Sequence, residues 1–138
     1  ALQTAERFLR EEDRKAEKNY LFVMRKSLTD KERLKKTEIK RVFREAETAK
    51  CFGYKILYCR NNAGLNRMAV TTPRNYGNAV ERNRTKRIVK EVYRNIKEKI
   101  VLEGYDFLFI VYKKNLEYKD TFLELFTICR QAGILNDF

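Results

Sequence analysis

The sequence predicts an α+β domain, a small two-layer α/β sandwich. Three segments carry this prediction. Residues 51–59 are rich in aromatic and β-branched side chains, residues 78–101 repeat apolar side chains at helical spacing, and residues 105–112 are almost continuously apolar. A chain of 138 residues that is 43% hydrophobic is long enough for one domain with one modest core.

The first 24 residues are predicted to form an N-terminal helical extension, followed by the main domain over residues 25–138. The segment from Leu2 to Tyr20 lacks Gly and Pro and is rich in Ala, Glu, Arg and Lys, a composition that favours helix. Its five basic and five acidic side chains leave it neutral. Because Met24 directly precedes a basic segment, translation could alternatively start there.

A second helix is predicted within residues 27–49, with Thr37 as its N-cap and Ile39, Val42, Phe43 and Ala46 at helical spacing. Two strands follow, over residues 51–59 and 65–72. The turn residues 61–64 separate them, so we expect a hairpin that ends at Pro73. Cys51 and Cys59 lie in the apolar run and are expected to be buried.

The clearest element is a helix over residues 78–101. Gly104 ends it, and its predicted apolar face consists of Val80, Ile88, Val89, Val92, Tyr93, Ile96 and Ile100. The run of residues 105–112 predicts a strand that is covered on both faces. A last helix is expected from Thr121 to Gln131, with Phe122, Leu125, Phe126 and Cys129 facing inward.

The composition restricts the chemistry. There is no histidine, which excludes Ser-His-Asp triads, Cys-His dyads and histidine-ligated metals. The formal net charge is +12, and residues 25–100 hold 22 basic against eight acidic side chains, so a polyanionic partner is expected. Three cysteines without a CxxC pair disfavour a disulfide framework, and no apolar run resembles a signal peptide or membrane span, so we expect a cytosolic protein.

The helix over residues 78–101 carries a wide cationic ridge opposite its apolar face. Residues three and four apart share a helix face, which places Asn83, Arg87, Lys90 and Arg94 in one row and Arg82, Lys86 and Lys90 in the next. The helix N-terminus at Gly77 and Asn78 also suits phosphate. The sequence thus predicts an RNA- or DNA-facing helix, the alternative being a solvated face without a ligand.

This stretch resembles the signature of the bacterial ribonuclease P protein subunit, an Arg-Asn-Arg motif (Arg82 to Arg84) preceded by Gly77-Asn78-Ala79-Val80. The resemblance runs from about Leu28 to Ile134 and includes the Arg33–Lys36 opening and the strand after the motif helix. It implies a mostly antiparallel sheet in which the motif helix lies in a left-handed βαβ crossover, as in a domain of a ribosomal protein.

The resemblance also implies a function. The family protein binds a catalytic RNA that holds the Mg²⁺ and removes the 5′ leader of precursor tRNA, so no cofactor, catalytic residue or metal ligand is expected in this chain, which is expected to be a monomer. The expected RNA-binding residues are Arg74, Asn78, Arg82, Asn83, Arg84, Lys86, Arg87 and Lys90. A cleft for the single-stranded leader is expected from Ile39, Phe43, Phe52, Tyr54 and Tyr58, any of which could instead be core residues.

Two departures from the family pattern affect these expectations. Ile39 stands where the family often has a phenylalanine, which removes one ring from the cleft. Pro73-Arg74-Asn75 replaces a small residue followed by two lysines, so one positive charge is absent. Two other functions remain open: a ribosomal or ribosome-assembly protein without a leader cleft, and a DNA-binding regulator, although no short helix and tight turn precede the basic helix.

Overall fold

The computed structural model describes residues 28–136, and the helix predicted within residues 1–24 lies outside them. Three α-helices and four strands follow one another in the order α1, β1, β2, β3, α2, β4 and α3. The helices are α1 (Lys36–Glu45), α2 (Ala79–Ile96) and α3 (Tyr118–Gln131), and the strands are β1 (Glu47–Cys51), β2 (Tyr54–Arg60), β3 (Arg67–Thr71) and β4 (Tyr105–Val111). Short 3₁₀ turns occupy Asp30–Glu32 and Lys97–Lys99.

Strand β4 is the central strand of the sheet, whose order is β1-β2-β4-β3. It pairs antiparallel with β2 and parallel with β3, so two of the three pairings are antiparallel. Every residue of β4 after Tyr105 is buried. The expected α+β fold and the strand covered on both faces are therefore confirmed, and the parallel β3–α2–β4 unit is the predicted βαβ crossover, whose hand stays a prediction.

The larger core lies between one sheet face and the two long helices. It joins buried residues of α2 and α3 to the inward residues of the strands, with Tyr54, Ile56, Phe107 and Phe109 at its centre. A smaller cluster lies on the opposite face, where Val42 and Leu34 cover Leu57, Cys59, Leu108 and Ile110. Helix α1 therefore covers only part of that second face.

The predicted hairpin between residues 51–59 and 65–72 is wrong. β4 lies between β2 and β3, and the hairpin of the structure joins β1 to β2 through a turn at Phe52 and Gly53. Strand β1 was not predicted, because it is an edge strand with the mostly polar sequence Glu-Thr-Ala-Lys-Cys and has no buried residue. Cys59 is buried as expected, whereas Cys51 is half-buried.

One of the two predicted helix starts is confirmed and the other is wrong. Helix α1 begins one residue before Thr37 and its N-cap is Lys35, so Thr37 is not the cap. Helix α2 begins as predicted after Asn78, whose side chain accepts a hydrogen bond from the Glu81 amide at 2.9 Å. Among residues 28–136, no helix is long and apolar enough to cross a membrane.

Candidate nucleic-acid interface

Helix α2 is held on the sheet by a continuous buried face, which consists of Thr85, Val89, Val92, Tyr93 and Ile96. Val80, expected inward, is instead 76% exposed, because the first turn of α2 extends beyond the sheet. Thr85 is buried, and its hydroxyl forms a hydrogen bond of 2.9 Å with the hydroxyl of Tyr76. The Tyr76 hydroxyl also lies 2.5 Å from the Lys113 carbonyl, to which it donates. The loop before α2, the helix and the end of β4 are thus joined.

The outward side of α2 carries the predicted cations. Asn83, Arg84 and Arg87 are exposed, while Arg82, Lys86 and Lys90 are half-buried. Within the described part of the chain, the ion pairs of the structure include none of these cations. Their positive charge is therefore available to an anion.

Lys90 shows how crowded the positive charge is. Its pKa is lowered from the usual 10.5, first because burial disfavours the charged form and then because Arg33 and Lys86 repel it. Arg33 follows the 3₁₀ turn before α1 and was not among the predicted site residues. It adds a second segment to the cationic surface of α2.

Arg84 differs from the other arginines of the motif. Its Nη1 donates to the carbonyl of Leu116 at 3.0 Å, in the loop between β4 and α3. One of its donors thus holds that loop against α2, although the side chain is otherwise exposed. Arg74 is exposed in the loop between β3 and α2, and Asn78 is exposed but already engages Glu81 as the helix cap.

On the opposite face of the sheet, a buried carboxylate holds α1 in place. Asp106 is completely inaccessible to solvent and accepts hydrogen bonds from Arg41 of α1 at 2.5 Å and from Asn61 at 2.7 Å. Arg67 of β3 donates to both of its oxygens, and also pairs with Glu38 of α1 at 2.6 Å. These charged contacts all lie along one flank of α1.

The other flank of α1 carries Ile39 and the exposed ring of Phe43. Ile39 and Phe43 are one helical turn apart and lie on the side of Val42 away from Glu38 and Arg41. Phe43 is 58% exposed. Because the Asp106 contacts lie at one end of the strands, this flank faces the opposite end, where Lys55, Leu57 and Ile110 lie on the same face of the sheet as α1. We refer to this strip of the sheet beside Phe43 as the groove.

Two of the predicted cleft residues lie outside this groove. Tyr54 is 1% exposed, and burial raises its pKa to about 12. Tyr58 packs against the core formed by α2 and α3, on the face opposite Phe43. Side chains alternate along a strand, so a one-residue difference changes the face, and Leu57 rather than Tyr58 lies under α1. Phe52 is exposed at the hairpin turn, beyond the end of the groove.

The contacts of Asp106 that hold α1 on the sheet were not predicted from the sequence. Asp106 is the one charged residue in an otherwise apolar strand, and such a residue signals a buried partner. Its partners Arg41 and Arg67 could not be recognised from the sequence, because the chain contains many other basic residues. Within residues 28–136 no group of three or more Cys, Asp or Glu side chains is arranged to hold a metal ion.

Known proteins share this sequence and fold. The ribonuclease P family model matches residues 28–133. A ribonuclease P protein component from Clostridium botulinum strain Loch Maree is 33% identical over 104 residues, which cover 74% of this chain and 94% of the relative. One from Petrotoga mobilis is 42% identical over 85 residues, 61% of this chain and 71% of that protein.

Solved structures agree. The RNase P protein of Thermotoga maritima superposes with a TM-score of 0.62 at 25% identity, covering 72% of this chain and 96% of that one. A mutant of the Staphylococcus aureus RNase P protein gives a TM-score of 0.67 at 21% identity, covering 75% and 90% of the two chains, which shows the shared fold. A cationic helix, the sheet that carries it and the matched residues lead to one conclusion: this chain belongs to the ribonuclease P protein family.

Proposed function

We propose that the chain binds the catalytic RNA of ribonuclease P and the 5′ leader of precursor tRNA, and so assists the Mg²⁺-dependent removal of the leader. The main support is the cationic surface of α2, whose charges have no acidic partners within residues 28–136. The RNA would hold the Mg²⁺ and perform the cleavage, in a cytoplasmic holoenzyme containing one copy of this protein.

The cations of α2 are proposed to contact phosphates rather than bases. They are close together on one helix, and the pKa of Lys90 is lowered first by burial and then by repulsion from Arg33 and Lys86, so an RNA backbone would relieve unfavourable electrostatic energy. The principal candidates for phosphate contact are Arg82, Lys86 and Arg87, because one donor of Arg84 already binds the Leu116 carbonyl. Such contacts fix the orientation of the protein on the RNA and make the affinity strongly salt-dependent.

The groove beside α1 is proposed to take the single-stranded leader. Single strands bind to cationic walls that also offer rings for stacking. Phe43 offers an exposed ring, Lys55 a cation on the same face of the sheet, and Arg74 a further cation in the loop that follows β3. Because Ile39 supplies no ring, this groove depends more on charge than one with two aromatic residues would.

The test compares how much a 5′ leader adds to the affinity of the reconstituted holoenzyme for tRNA. We expect Phe43→Leu to reduce this gain about five- to tenfold, since stacking on one base is worth roughly 1–3 kcal/mol, and Lys55→Gln and Arg74→Ala to reduce it less. Tyr58→Leu is the matched control, because Tyr58 faces the other side of the sheet. An unchanged gain in the Phe43, Lys55 and Arg74 variants would show that the leader binds elsewhere.

A second measurement tests the assignment to ribonuclease P as a whole. The protein should lower the Mg²⁺ concentration that the ribonuclease P RNA needs to cleave precursor tRNA, because added positive charge reduces repulsion between the two RNAs. No change in that requirement would favour a ribosomal or ribosome-assembly role.

A further inference from the structure

Two aromatic rings are exposed at one end of the sheet. Phe52 at the β1–β2 turn is 51% exposed, and Tyr112 directly after β4 is 49% exposed. The backbone brings the two segments together, because the Gly53 carbonyl accepts hydrogen bonds from the amides of Tyr112 at 2.9 Å and Lys113 at 3.2 Å. The turn that carries Phe52 is therefore held against the residue that carries the second ring.

The backbone of Phe52 is strained. Its φ angle is +56°, in the left-handed region that Gly and Asn adopt readily and bulky side chains rarely do. Half of the ring is exposed, and a two-residue turn with positive φ at both positions forms more readily with Asn or Gly, so the geometry of the hairpin does not favour phenylalanine here. Strain at an exposed aromatic side chain points to a role on the surface.

Cations accompany the rings. Lys50 and Lys55 are register partners in β1 and β2, so their side chains lie on the same face of the sheet as α1. Alternation along β4 places Tyr112 on that face too, two residues beyond Ile110. Within the described range, neither lysine forms an ion pair with an acidic side chain. The Tyr112 ring on the face that carries the two available ammonium groups, with the exposed Phe52 ring at the adjacent turn, matches the chemistry of single-stranded RNA.

We propose that Phe52 and Tyr112 form a second stacking site for single-stranded RNA, at the end of the groove that begins at Phe43. This inference rests on the proposed function, since the strand would be the leader of precursor tRNA. Tyr112 lies two positions, about 7 Å, beyond Ile110 of the groove and four positions, about 13 Å, beyond Leu108 beneath α1. Phe43 and the second site therefore contact different nucleotides of the leader, and we assign the second site those farther from the cleavage position.

The experiment measures binding of the holoenzyme to uncleavable precursor tRNAs whose leaders increase one nucleotide at a time. We expect Tyr112→Ser and Phe52→Asn to bind short-leader precursors like the wild type and to lose about three- to tenfold in affinity for long leaders. Tyr112→Phe, which keeps the ring, should bind normally. Val101→Ser is the matched control, an exposed apolar residue after α2.

Stability separates this role from a structural one. Phe52→Asn places a residue that tolerates positive φ in the turn, so its urea midpoint should equal or exceed that of the wild type while long-leader affinity falls. A lower midpoint with unchanged long-leader affinity would overturn the proposal. So would an equal loss for mature tRNA, which would indicate contact with another part of the RNA or with a protein. If Phe43→Leu also leaves leader affinity unchanged, the proposed function fails rather than this site alone.

Discussion

The guanidinium of Arg67 donates two hydrogen bonds to the buried carboxylate of Asp106, from Nε at 2.8 Å and from Nη2 at 3.0 Å. The same carboxylate binds Arg41, so it compensates two arginines from different elements. A buried carboxylate is costly to desolvate unless it is paired in this way. The pairing links β3, β4 and α1 on the flank of α1 opposite Phe43.

Asp106→Asn should lower the free energy of unfolding by about 3–5 kcal/mol, because it removes the buried carboxylate that two arginines share and leaves them only the partly exposed Glu38 and Glu45 as acidic partners. Urea denaturation measures this loss. Glu103→Gln makes the same carboxylate-to-amide change at an exposed position just before β4, and it should alter stability by less than about 0.5 kcal/mol. Similar losses in the two variants would contradict the structural importance of Asp106.

Arg84 and Arg87 are both exposed, yet we expect their alanine variants to differ. Arg84→Ala loses the bond to the Leu116 carbonyl and should cost about 1 kcal/mol of stability. Arg87→Ala should leave stability unchanged and reduce the slope of log affinity for RNA against log salt by about one. Urea denaturation and RNA binding over a range of salt concentrations check both, and equal stability of the two variants would count against the loop contact.

Glu32 should contribute a pH-dependent part of the stability. Burial raises its pKa, but hydrogen bonds from the Thr29 amide and from Lys97 outweigh burial, so the net shift is downward from 4.5. A lowered pKa in the folded state stabilises the protein above pH 4.5, and this stability is lost as the pH falls through the folded pKa. Glu32→Gln should therefore cost up to about 1 kcal/mol at pH 7 and much less at pH 3.

The control for this pH dependence is Glu98→Gln. Glu98 is exposed next to Lys97 and forms no ion pair with another described residue. Its urea midpoint should follow that of the wild type at both pH values. If the cost of Glu32→Gln is the same at pH 7 and pH 3, the ionised carboxylate does not provide the stabilisation.

A chain that begins at Met24 should fold and support cleavage by the holoenzyme within about twofold of the full chain. The reason is that residues 1–24 carry no net charge and precede the family match, which starts at residue 28. Circular dichroism checks the fold, and cleavage of precursor tRNA with reconstituted RNA checks the activity. A folded but inactive shortened protein would assign residues 1–24 a part in the function.

Local sequence patterns were sufficient for the elements that are strongly apolar or periodic. Helix α2 and strand β4 were predicted because burial imposes a helical period on one and a continuous apolar run on the other. Strand order was not predictable in this way. β4 pairs with β2 and β3 across long stretches of sequence, and no local pattern indicates that it separates them.

The sequence located the cationic surface of α2 but not the groove beside α1. The cations of α2 could be located because their helix face follows from spacing alone. The residues of the groove could not be located in this way, since the face on which a β2 side chain lies depends on register. In the sequence, Tyr58 and Leu57 are equally good candidates for the face under α1. Spacing alone also left open whether Phe43 is a core residue, and its 58% exposure places that ring outside the core.

The central position of β4 has a consequence for the order in which the protein becomes functional during synthesis. The sheet that carries the groove needs β4 between β2 and β3, and α2 rests on residues of β4 such as Phe107 and Phe109. Both proposed RNA-binding surfaces therefore form only after Val111 has left the ribosome. A nascent chain without β4 displays abundant positive charge but lacks the sheet that positions it, so we expect assembly with RNA to follow the emergence of β4.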